Sequence, residues 1–191
     1  MTDTDSSFGP SALATPANAV TSMRLLLAPV AFGMIVSHPV SWATAAVWFV
    51  LAATDGVDGW LARRHGSTRS GAFLDPLADK VLVLGGLVAL VSVGRFSWIP
   101  VAIIAAREVL ISLYRSYWGR RGVAVPAIPL AKAKTFAQAV AVGLAVWPPA
   151  VTHFDRVADV VLWVSVGLAI VSAGQYLVAG SRAHANRPET A

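Results

Sequence analysis

Residues 54–80 read TDGVDGWLARRHGSTRSGAFLDPLADK. Four aspartates sit in this stretch, Asp55, Asp58, Asp75 and Asp79, between the apolar runs LLLAPVAFGMIV and ATAAVWFVLAA before it and VLVLGGLVALV after it. A carboxylate inside an apolar helix is costly and usually functional. Four of them in two spaced pairs need a common partner, and a divalent cation is the simplest one. If 55–63 is helical, Asp55, Asp58, Gly59 and Ala62 fall at i, i+3, i+4 and i+7 on one face. If 71–80 is helical, Gly71, Asp75 and Asp79 share a face at i, i+4 and i+8. Two adjacent antiparallel helices joined by a short loop then direct the four carboxylates into one gap. Oxygen-only ligands suit Mg²⁺, Mn²⁺ or Ca²⁺ and argue against zinc. Gly59, Ala62 and Gly71 leave room for a bulky group beside the carboxylates, and Arg63 offers a planar fork for phosphate. Together these features read as a diphosphate site.

The rest of the chain says where that site lies. Of 191 residues, 56% are hydrophobic and only 13% charged, which is too apolar for an ordinary soluble domain. The absence of Cys excludes disulfides and thiolate metal sites. Residues 1–15 are polar and acidic, without the basic n-region of a cleavable signal peptide, and read as a disordered tail. Residues 182–191 read as a polar C-terminal tail. The formal charge of +5 resides largely in loops between apolar segments, so anionic lipid headgroups, rather than nucleic acid, are its counterpart.

Six apolar segments of spanning length follow: 19–37, 41–63, 72–93, 96–118, 133–152 and 157–180. The expected fold is therefore an all-α integral membrane protein with six transmembrane helices, filling residues 16–181. Pro148 and Pro149 should end or kink the fifth. With six spans, Arg63, Arg64, Arg69, Arg115, Arg120, Arg121, Lys132, Lys134, Arg182 and Arg187 fall on one side and only Arg95 and Arg156 on the other. That bias makes the first side cytoplasmic. The aspartates lie at the cytoplasmic end of spans two and three, so the site opens to the cytoplasm and the inner half of the bilayer.

The pattern Asp55-x2-Asp58-Gly59-x2-Ala62-Arg63, then Gly71-x3-Asp75-x3-Asp79, resembles the signature of the CDP-alcohol phosphatidyltransferase family. The loop departs from it: seven residues, Arg64 to Ser70, separate Arg63 from Gly71, where the family usually has eight. Thr68 keeps the usual distance to Asp75. Asn18-x2-Thr21-x2-Arg24 with Pro29, AREVLISLYR at 106–115 and AKAKTFAQ at 131–138 are similar to the branch that uses glycerol 3-phosphate as acceptor.

The resemblance implies a homodimer of six-span chains in a bacterial-type cytoplasmic membrane. It implies a two-metal site for Mg²⁺ or Mn²⁺, and attack by an alcohol on CDP-diacylglycerol with release of CMP. It assigns metal binding to Asp55, Asp58 and Asp75 and the role of general base to Asp79, while the spacing on two helix faces places all four, Asp79 included, at one metal site. It assigns CDP-diacylglycerol binding to Asn18, Thr21, Gly59, Ala62, Arg63, Thr68 and Gly71. A phosphorylated acceptor also needs cations near the cytoplasmic ends of spans four and five, where Arg107, Arg115, Lys132 and Lys134 stand.

Other readings of the same residues stay open at this level. The aspartates could line an ion pathway in a small transporter. The acceptor could be phosphatidylglycerol or inositol phosphate. Arg24 could snorkel to headgroups or bind substrate. Glu108 reads as a structural ion-pair partner, and Arg107 either joins it or meets phosphate. The glycines at 85, 86, 143, 167 and 174 read as close-packing positions, and Trp42, Trp98 and Trp118 as interfacial anchors.

Overall fold

A computed structural model describes residues 16–65, 71–120, 129–148 and 154–185, with side chains described at 19–54, 77–119, 130–148 and 154–180. Among the described residues six helices occur in order: α1 (Pro16–Ser37), α2 (Trp42–His65), α3 (Gly71–Ser92), α4 (Trp98–Arg120), α5 (Pro129–Ala145) and α6 (Phe154–Ala185). Among the described residues there is no strand.

Local chemistry sets the helix ends. Ser41 caps α2: its hydroxyl accepts from the Thr44 amide at 3.0 Å, satisfying one of the free donors of the first turn. α3 stops at Gly94, whose φ of 72° suits glycine alone. The Arg95 amide returns to the Leu90 carbonyl at 2.9 Å and the Gly94 amide to Val91 at 3.0 Å, a Schellman closure. α5 was expected over 133–152 but runs over Pro129–Ala145. Proline is accommodated at a first helical position, so Pro129 can open the helix. Trp147 precedes Pro148, and a residue before proline is pushed out of helical geometry, so the helix closes earlier. Arg95 then donates to the Ala145 carbonyl at 3.0 Å and pairs with Asp155 in the first turn of α6, placing each charge at the helix end that favours it.

The core is built where small residues meet large ones. Trp48 of α2 is 1% exposed and donates from Nε1 to the Ala139 carbonyl of α5 at 3.1 Å. Gly86 of α3 lies under its ring: a Cβ there would be 2.7 Å from the indole. Gly85 faces the Phe32 ring of α1 in the same way. Gly143 lies against Phe49, whereas Gly167 and Gly174 have nothing within 4 Å of a built Cβ. The expected close packing therefore holds for 85, 86 and 143 and fails for 167 and 174, which face outward on α6. Trp48 meets Gly86 at one level while Thr54 and Asp79 lie at another, so α2 and α3 run antiparallel. α1 packs along both of them, α6 against α4 and α5, and α3 also against α4 and α5.

The outer surface of the bundle is apolar, unlike that of a water-soluble one. Leu26, Val50, Val88, Leu110, Phe136 and Val160, one from each helix, are exposed, as are Trp42 and Trp98 at the starts of α2 and α4. Arg24, Arg107, Glu108, Lys134, Gln138 and Ser172 are buried. An apolar exterior with the charged side chains turned inward is the arrangement a bilayer demands. By length and composition, two described segments suffice to cross a membrane: Ala19–Ser37 and Phe154–Gly180, with mean hydropathies of 1.8 and 2.0.

Candidate active site

At one end of the bundle, three helices are joined by one side chain. Arg24 of α1 is 1% exposed. Its Nη1 donates to Oδ1 of Asp79, on α3, at 3.0 Å, and its Nε to Oγ1 of Thr54, on α2, at 3.2 Å. The Thr54 hydroxyl donates in turn to the Leu51 carbonyl at 2.6 Å, so its oxygen is left to accept. Arg24 is thus neither solvated nor extended to a headgroup, and the snorkelling reading fails: α1 turns it into the core. Thr21, one turn earlier on α1, is fully buried. The Asp79 side chain is 32% exposed.

Asp55 and Asp58 lie on α2 and Gly71 and Asp75 on α3, as do Gly59, Ala62 and Arg63 on α2, but their side chains fall outside the described residues. So does that of Asn18 on α1, and Thr68 lies in an undescribed stretch. The backbone confirms the premise of the spacing argument, since 55–63 and 71–80 are both helical. Among the described residues, no three His, Cys, Asp or Glu side chains gather into a metal-binding group. The four carboxylates, all oxygen donors in a chain without Cys, remain a donor set of the kind that holds a hard divalent cation.

A second polar cluster lies beyond Asp79. Glu108 of α4 receives Arg107 Nη1 on Oε1 at 2.9 Å and pairs through the same oxygen with Lys134 of α5. Lys80 of α3 stands 3.8 Å from Oε2 and donates to Ser112 of α4 at 2.6 Å. Arg107 also reaches α6, donating to the Ala169 carbonyl at 3.2 Å and the Ser172 hydroxyl at 2.7 Å. Its guanidinium and that of the exposed Arg115 both lie over the Tyr176 ring, at 5.8 and 5.7 Å from the centroid. Lys132, two residues before Lys134, is exposed. Of the four cations expected at the acceptor phosphate, the fold therefore gathers Arg107 and Lys134, brings Arg115 to their edge and leaves Lys132 outside. It adds Lys80, which the aspartate spacing passed over because position 80 is off that helical face. The signal was present: a lysine directly after Asp79, at the head of an apolar run, needs a partner.

Between α1 and α2 a laterally open groove of about 290 Å³ is lined by Leu27, Val30, Ala46, Val47, Val50 and Leu51. Its inner end is Leu51, whose carbonyl takes the Thr54 hydroxyl bond.

The family model for CDP-alcohol phosphatidyltransferases matches residues 14–171, and the chain belongs to that family. It is an enzyme of that class. Curated relatives bear the name CDP-diacylglycerol--glycerol-3-phosphate 3-phosphatidyltransferase. The protein of Shigella flexneri serotype 5b (strain 8401) is 40% identical over 169 residues, 84% of this chain and 91% of that protein. That of Pseudomonas fluorescens is 40% identical over 170 residues, 84% of this chain and 87% of that protein. That of Escherichia coli (strain K12) is 39% identical over 169 residues, with the same coverage as the Shigella protein.

Proposed function

We propose that this chain transfers the phosphatidyl group of CDP-diacylglycerol to the hydroxyl of glycerol 3-phosphate, giving phosphatidylglycerophosphate and CMP. The observation that carries the reading is a carboxylate held at a three-helix junction, Asp79, with a cation-rich cluster beginning at the next residue, Lys80. A base for an alcohol and a seat for its phosphate then lie side by side. The names of the relatives point to the same acceptor.

Asp79 takes the proton of the acceptor hydroxyl as its oxygen attacks phosphorus. Lys80, Arg107 and Lys134 share the single carboxylate of Glu108, and their excess positive charge suits the acceptor's phosphate. Arg107 is held at both ends, by Glu108 and by Ser172, so its fork is oriented before substrate arrives. Asp55, Asp58 and Asp75 would hold the divalent cations, Mg²⁺ or Mn²⁺, beside Asp79. When bound, such cations supply neutralisation of charge on the diphosphate. Thr21, Asn18, Gly59, Ala62, Arg63, Thr68 and Gly71 form the proposed cytidine diphosphate site. The apolar α1–α2 groove offers the lipid's acyl chains a path from that site into the bilayer.

The proposed setting is a bacterial cytoplasmic membrane crossed six times, with the site facing the cytoplasm, in a homodimer. Exposed apolar side chains on all six helices support the spans, and the Lys/Arg bias supports the orientation. The test is purified protein with CDP-diacylglycerol and Mg²⁺ or Mn²⁺, offered glycerol 3-phosphate, phosphatidylglycerol, inositol phosphate or no acceptor. CMP release with glycerol 3-phosphate alone is the expected result. Release with another alcohol instead would reassign the acceptor, and cation flux without CMP release would make the protein a transporter.

A further inference from the structure

We propose that Arg24 is a positioning residue for the transfer: it anchors Asp79 through Oδ1 and so sets the direction from which the carboxylate meets the acceptor hydroxyl. The inference rests on the transferase reading above. It begins from a contrast in exposure. Arg24 is sealed at 1%, whereas the Asp79 side chain it holds is 32% exposed. One partner is fixed in the core and the other reaches out of it.

The anchor is rigid for a stated reason. A guanidinium is planar, so two donors with partners on two helices fix both its position and its plane. Nε is engaged by Thr54 of α2 and Nη1 by Asp79 of α3. Thr54 is itself held, because its one hydroxyl proton goes to the Leu51 carbonyl. A movement of α1 relative to α2 or α3 would therefore turn the Asp79 carboxylate. Displacing a reacting group by about 1 Å can cost on the order of 10²-fold in rate. A lysine could supply the charge but not the fork, which explains why an arginine stands here. The contribution falls on turnover rather than binding, since Arg24 acts through Asp79 and not on the substrate.

The test is a kinetic cycle. Arg24→Gln, Arg24→Lys and Thr54→Val are each made alone and with Asp79→Asn, and kcat and both KM values are measured by CMP release. Arg24→Gln should lower kcat by about 10²-fold with each KM within about threefold. Arg24→Lys should recover part of that loss. In the Asp79→Asn background, Arg24→Gln should add little, because residues acting as a unit are not additive. Wild-type kcat in Arg24→Gln would overturn the role. So would a raised KM for CDP-diacylglycerol at unchanged kcat, which would make Arg24 a substrate ligand, or a full additional loss beside Asp79→Asn. Should Arg24→Gln fail to fold, Thr54→Val removes one anchor and keeps the charge; kcat should then fall several-fold at constant KM, and an unchanged kcat overturns the role. Wild-type protein that releases no CMP with any alcohol overturns the transferase reading and this role with it. Active wild type with an indifferent Arg24→Gln variant overturns the role alone.

Discussion

Arg107 donates from Nη1 to Oε1 of Glu108, its neighbour in sequence, at 2.9 Å. Successive positions on a helix diverge by about 100°, so such a pair closes only when something else draws the two side chains together. Lys134 does so from α5 by pairing with the same oxygen. Glu108 is therefore the hub on which α3, α4 and α5 agree, and the removal of its charge should cost the fold. Glu108→Gln leaves buried cations uncompensated, and breaking a buried pair from one side typically costs about 3–5 kcal/mol. A marked fall in apparent melting temperature in detergent is expected; an unchanged value would mean that the cations are balanced elsewhere.

The cations themselves should act on the acceptor. Arg107→Gln and Lys134→Gln each remove a charge-assisted contact, valued at about 1.5–3 kcal/mol. KM for glycerol 3-phosphate should rise by roughly 10- to 100-fold, with KM for CDP-diacylglycerol little changed. Lys132→Gln, at an exposed position, should be close to wild type. Steady-state kinetics varying one substrate at a time decides between a phosphate site and a purely structural cluster, since the latter would move both KM values or neither.

The order and type of all six helices were legible in the sequence because apolar runs alternate with charged or proline-containing breaks. The ends were less so: Pro129 could equally have belonged to a loop, and only its acceptance at the first position of α5 decides it. The partners of the charges were the least legible. Arg24, Lys80 and Arg107 each meet residues 30 or more positions away, Thr54 and Asp79, Ser112, and Ser172. Which helical face they turn inward depends on how α1 lies against α2 and α3 and α4 against α6, and no local spacing encodes that. The glycine pair at 85 and 86 was legible as a packing site, but Gly167 and Gly174 look alike in sequence and differ only in what stands opposite.

That difference is measurable. Gly86→Ala forces a methyl against the Trp48 ring and Val142, and overpacking of this kind typically costs about 1–3 kcal/mol. Gly167→Ala meets open space and should be neutral or slightly stabilising. Thermal unfolding of both variants in one detergent tests the packing; equal melting temperatures would contradict it.

Metal dependence follows from the donor chemistry of the four aspartates. EDTA should abolish CMP release, and Mg²⁺ or Mn²⁺ should restore it. Asp55→Asn, Asp58→Asn and Asp75→Asn should each be inactive and bind metal more weakly. Full activity in any one of them removes that residue from the ligand set.

Orientation can be read chemically because the chain has no Cys of its own. Single cysteines placed at 64–70 or 119–132 should react with an impermeant reagent only from the cytoplasmic face. Labelling from outside would invert the orientation of the site.

The most direct measurement pairs binding with chemistry in one variant. Asp79→Asn keeps the size and a carbonyl oxygen of the side chain but cannot accept the proton. Labelled CDP-diacylglycerol should still bind with near wild-type affinity, while single-turnover release of CMP to glycerol 3-phosphate falls by about 10²–10⁴-fold. Affinity lost in step with the rate would make Asp79 a ligand rather than the base, and an undiminished rate would place the chemistry on another residue.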